Sequence, residues 1–130
     1  MPIQGNATSQ EAQDTVDYTL LAAQATDATS AVFDISGIAG PKEVEIVNTT
    51  TGTCTVQIQG SFDGVRWYGF GYHEIDGQTT TTRKVVPISI SANGTGVYLL
   101  EDNYKLVRAV QNSSAGGPSI TATFHGYPTT

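Results

Sequence analysis

The chain has 130 residues, of which 14% are charged, and its six Lys and Arg against 12 Asp and Glu leave a net charge of −6. A single cysteine excludes an intrachain disulfide. The cations (Lys42, Arg66, Arg83, Lys84, Lys105 and Arg108) are scattered along the sequence, so neither nucleic acid nor an anionic membrane surface is an expected partner. The length suits one domain that buries a core without a metal or disulfide staple.

Residues 1–15 are polar around one large apolar anchor, Ile3, and read as a flexible arm able to order on a neighbouring subunit. No basic or apolar leader pattern opens the sequence, so synthesis in the cytoplasm of the producing cell is expected. Residues 16–130 read as a single β domain. Val16, Tyr18 and Leu20 share one phase of a strand. A helix over residues 10–24 competes with it, but β-branched Thr15, Val16 and Thr19 disfavour the helix. Residues 25–30 form a turn or loop, and residues 31–36 a strand. Residues 43–48 alternate, with Val44 and Ile46 inward and Glu43 and Glu45 outward.

Cys54, Val56 and Ile58 alternate with Thr55, Gln57 and Gln59, which is period 2 with one buried face. Cys54 is in phase with that face and reads as a small buried hydrophobe rather than a reactive thiol. Gly60-Ser61-Phe62-Asp63-Gly64 is a turn, because Asp bonds its own backbone and Gly accepts positive φ. A β-hairpin returning through Trp67 and Tyr68 is therefore expected. Tyr68, Phe70 and Tyr72 then share one face, with Trp67, Gly69 and Gly71 on the other. Such a row serves a core or a subunit contact more often than a sugar-stacking platform.

His73–Gln78 is expected as a loop and residues 81–90 as a strand, with Pro87 marking an edge or a bulge. Residues 97–100 form a short strand. Residues 104–110, apolar on both faces, form a central one. Residues 113–118 turn into a last alternating strand with Ile120, Ala122 and Phe124 inward. The sum is an all-β fold, a β-sandwich or jelly roll of about eight short antiparallel strands.

No catalytic, cofactor or metal site is expected. His73, Glu74, Asp76 and His125 lack a ligand-spacing motif, and Ser61 is not in a nucleophile elbow. Four glycosylation-type triplets, at Asn6, Asn48, Asn93 and Asn112, match by chance in so Thr-rich a chain.

The run from Val56 through Gly60-Ser61-Phe62-Asp63-Gly64 to Trp67 and Tyr68 resembles small structural proteins of tailed-bacteriophage virions. Tyr104 with Arg108, Gly116-Gly117 and the strand from Ile120 to Phe124 extend the resemblance, which covers roughly residues 19–125. It implies a capsid decoration, or cement, protein on the virion surface. Its partner would be the major capsid protein, its state a homo-oligomer (dimer or trimer), and its action non-enzymatic, without cofactor. Candidate protein contacts are Ile3, Trp67, Tyr68, Phe70 and Tyr72. The alternative is a tail- or fibre-associated module gripping host carbohydrate through Trp67 and Tyr68.

Overall fold

The alternation read at the end of the chain is realised residue by residue: Ile120, Ala122 and Phe124 are fully buried, and the residues between them are half-buried. The structure is a computed structural model describing residues 15–76, 79–80 and 82–128. Twelve strands occur among these residues: β1 (Val16–Gln24), β2 (Ala28–Thr29), β3 (Phe33–Asp34), β4 (Lys42–Asn48), β5 (Thr53–Ser61), β6 (Tyr68–Gly69), β7 (Tyr72–Asp76), β8 (Thr79–Thr80), β9 (Ile88–Ile90), β10 (Thr95–Leu100), β11 (Leu106–Ala115) and β12 (Ile120–Gly126). Eight of them are three residues or longer.

The strands form two antiparallel sheets. The first runs β1-β12-β4-β10-β7-β8, and the second β2-β11-β5-β6, with β3 also on β11 and β9 also on β5. The fold is thus all-β, a β-sandwich. Its core lies between the sheets. Val44, Ile46, Tyr98, Ala122 and Phe124 face inward from the first sheet, and Cys54, Val56, Ile58, Val107 and Ala109 from the second. Each Val, Ile or Phe among them contributes roughly 1.5–3 kcal/mol by leaving water.

Residues 16–24 are a strand, not a helix. Its simple alternation fails at Leu20 and Leu21, both buried, because the register with β12 shifts there and again before Gln24, where Ala23 takes a positive φ of 47°. β11 lies between β5 and the short β2 and β3, which makes it internal as expected.

The short β2 falls inside the expected loop over residues 25–30, β3 is all that forms of the expected strand over residues 31–36, and three further elements differ from the sequence reading. Residues 73–76 belong to a strand, β7, because β10 supplies a paired neighbour that outweighs their polarity. The expected strand over residues 81–90 is reduced to β9 plus a bridge between Lys84 and Tyr72, and Val86 stands exposed. The Tyr68–Tyr72 run is not one row on one sheet. β6 pairs with β5 in the second sheet, whereas β7 pairs with β10 in the first. The arm over residues 1–15, with Ile3, lies outside the described residues apart from Thr15.

Candidate functional site

The turn after β5 is built by short polar side chains. The Ser61 hydroxyl, fully buried, accepts from the Asp63 and Gly64 N–H groups at 3.3 and 2.8 Å. Asp63 Oδ1 accepts from the Val65 and Arg66 N–H groups, both at 2.9 Å. These N–H groups, Arg66 first, hold the Asp63 carboxyl below the usual carboxylate range. Gly64 sits at φ +79°, a conformation that glycine adopts without steric cost. With the backbone fixed in this way, the apolar side chains Phe62 and Val65 point to solvent, 59% and 80% exposed.

Tyr104 is the hub beneath this turn. Its ring lies against Gly60, where a Cβ would stand 2.1 Å from the Tyr104 ring. Around it are Phe62 and Phe70, each with its centroid at 5.0 Å, and Tyr68, stacked at 6.2 Å. Next to this cluster, Arg108 lies over the Trp67 ring at 4.1 Å and donates to Gln59 Oε1 at 2.8 Å. Arg83 rests on Gly71 and bonds both oxygens of Asp102, at 2.9 and 3.0 Å, and Asp102 also accepts from the Gly71 N–H at 2.6 Å.

The structure separates the five expected contact residues. Tyr68 is 49% exposed, and Trp67 is half-buried under Arg108. Phe70 and Tyr72 are 1% and 5% exposed and belong to the core, out of a partner's reach. Ile3 lies outside the described residues. Sequence reasoning did not name Phe62 or Val65 as contact residues, and it singled out Tyr104 and Arg108 only as part of the resemblance. The available signal was an apolar residue at each of two turn positions that are ordinarily polar.

The two histidines stand apart. His73 and His125 lie on one outward row of the first sheet, with Glu43 and Leu99 between them. At ordinary strand spacing that is roughly 14 Å. His125 Nδ1 is 2.8 Å from Asp17, and His73 Nε2 is 3.4 Å from Glu101. Among the described residues no group of three or more His, Cys, Asp and Glu side chains is placed to hold a metal ion. Cys54 is buried, and burial pushes its thiol up, away from the reactive thiolate. Asn48 has a structural duty. It is 2% exposed, donates to the Gly52 and Ser91 carbonyls at 2.7 and 2.9 Å, and accepts from the Thr50 and Ser119 N–H groups, both at 3.2 Å.

No family model matches the chain, and no curated protein matches it. A solved structure does. The SPBc2 prophage-derived protein YomS shares 9% identity at a TM-score of 0.58, over 87% of this chain and 94% of that one. The likeness is one of fold. PirA, 18% identical over 87% of this chain and 92% of that one, has a TM-score of 0.38. Among the described residues no helix is long and apolar enough to cross a membrane.

Proposed function

We propose that this chain is a non-enzymatic structural protein of a tailed-phage virion and, within that class, a decoration protein that binds the major capsid protein and stabilises the head. The observation that carries the reading is the fold shared with a prophage-derived protein along nearly the whole of both chains. The surface supports it. Five of the six large apolar side chains exposed among the described residues, Phe62, Val65, Tyr68, Val85 and Val86, come from the turn after β5, from β6 and from the segment before β9, as in a protein built to touch another protein. A carbohydrate-binding reading is favoured by one feature, exposed Tyr68 and Phe62 packed on the same Tyr104 ring. It is weakened by Phe70 and Tyr72 lying in the core and by Arg108 covering one face of Trp67.

Purified protein mixed with undecorated capsids of the encoding phage, imaged by electron cryomicroscopy, tests the proposal. Ordered extra density at a repeated lattice position is expected. Bare shells at saturating protein, together with glycan-dependent quenching of Trp67 fluorescence, would move the assignment to the tail or fibre.

A further inference from the structure

Six large apolar side chains are exposed among the described residues, and five stand along one strip: Phe62, Val65, Tyr68, Val85 and Val86. The strip runs from the turn after β5 to the segment before β9. It is continuous because Gly69 lets the Val85 carbonyl approach, so that a Cβ there would stand 2.7 Å from that oxygen. Cations gather along it: Arg66, Arg83, Lys84 and Arg108. Two of these cations pair with the strip's own carboxylates, Arg66 with Asp63 at 3.5 Å and Arg83 with Asp102 at 2.9 Å, and the carboxylates also accept from the turn and Gly71 N–H groups. The strip thus holds four cations against two carboxylates. The rest of the chain holds two cations against ten carboxylates.

The complementary surface is the outer face of the first sheet. The register aligns Asp17, His125, Glu43, Leu99 and His73 in one outward row. Thr19, Thr123, Glu45, Val97 and Ile75 form the next. These rows carry three carboxylates, Asp17 paired with His125 and Glu43 and Glu45 on the middle strand β4, and no lysine or arginine; half-buried Leu99, Val97 and Ile75 stand beside the glutamates on the β10–β7 side. One surface is apolar with an excess of cations, and the other is acidic with an apolar flank.

We propose that copies of this chain associate head to tail, the strip of one docking on the outer face of the first sheet of the next. The two surfaces are different patches of the molecule. The contact is therefore heterologous, and it closes into a ring or extends as a chain rather than forming a two-fold dimer. The inference holds whether or not the protein resides on a capsid.

Sedimentation velocity of the full chain, across protein concentration at low salt and at about 0.5 M salt, measures the association. Oligomers at low salt that weaken at high salt are expected; a monomer throughout overturns the proposal. Two double variants probe the two sides: Arg66→Glu with Lys84→Glu, and Glu43→Lys with Glu45→Lys. Each alone is expected to weaken association at least about tenfold by placing like charges in contact. An equimolar mixture of the two is expected to associate again, because the reversed strip then meets the reversed face. Failure of the mixture to associate, or full association of the Glu43→Lys, Glu45→Lys variant alone, overturns head-to-tail docking. Phe62→Ser with Val65→Ser, solvent-exposed changes that leave the core intact, is expected to weaken association at both salt concentrations. Unchanged association of that variant also overturns the proposal.

Discussion

Ser61 shows how much one short side chain holds in this fold. Its hydroxyl is fully buried and supplies the acceptor for two turn N–H groups while donating to Asp63 Oδ1 at 3.2 Å. Ser61→Ala removes that acceptor and with it the bonds from the Asp63 and Gly64 N–H groups. A loss of roughly 1–3 kcal/mol in chemical denaturation is expected, with folding otherwise cooperative. A change under a few tenths of a kcal/mol would mean that the turn holds itself through Asp63 alone. At this scale the sequence was partly readable. Asp63 and Gly64 were recognisable as turn formers because their conformational preferences are local. Asn48 was not, because a three-residue glycosylation pattern says nothing about burial, and only the folded chain brings residues 52, 91 and 119 to its amide. Lys42 was hidden for the same reason. It opens β4 on the inward phase, is 5% exposed, and reaches only the Gly40 and Asn103 oxygens at 3.4 Å, and burial pushes its ammonium pKa down.

At the scale of elements, period-2 patterns located β4, β5 and β12, because each of those strands has one buried face along most of its length, and β11 was located by a run that is apolar on both faces. The same pattern misled at Tyr68, Phe70 and Tyr72. Alternation records which side of the backbone is apolar, not which sheet the backbone belongs to. Here the chain crosses between sheets: the Phe70 N–H donates to the Ile58 carbonyl at 2.8 Å, and two residues later the Tyr72 N–H donates to the Lys84 carbonyl at 2.8 Å. The candidate surface was half readable, through Trp67 and Tyr68, because its other half comes from residues distant in sequence. The link between those halves can be broken. Gly60→Ala drives a methyl into the Tyr104 ring, which must leave its contacts with Phe62, Tyr68 and Phe70. The expected cost is about 1–3 kcal/mol, the usual range for overpacking. Unfolding followed through Trp67 fluorescence measures it. Tyr104→Ala should destabilise on its own, yet the pair Gly60→Ala, Tyr104→Ala should cost less than the sum of the two, since the clash disappears with the ring. Strict additivity would show that Gly60 and Tyr104 are not coupled.

For the whole molecule, ionisable groups set the pH range in which the sandwich persists. On the acid side the carboxyls of Asp17, Asp27, Asp34 and Asp63 are held below their ordinary value. The main causes are hydrogen bonds from His125, Ser114, Ser36 and the Arg66 N–H, respectively. A folded-state pKa below the unfolded one gives stability that is complete above about pH 4 and is lost as pH falls through the folded values. On the alkaline side burial pushes Tyr98 up to about 12, and burial also raises Tyr72, whose ring meets Tyr98 edge-on at 5.7 Å. In the unfolded chain these phenols ionise near about pH 10. Their contribution is therefore complete below about pH 10 and is lost as pH rises toward the folded values. A stability plateau between about pH 4 and 10, with a fall on each side, is the expected profile in denaturant melts. Tyr98→Phe removes the most strongly shifted phenol and should push the alkaline fall to higher pH while leaving the acid limb in place. The net charge of −6 at neutral pH also grows as tyrosines and lysines lose protons, and this adds self-repulsion on the same limb. Salt separates the two causes, because it screens distributed repulsion far more than the burial of one phenol. An alkaline limb that moves with salt but not with Tyr98→Phe would assign the limit to overall charge. A limb that moves with the substitution and not with salt would assign it to the core.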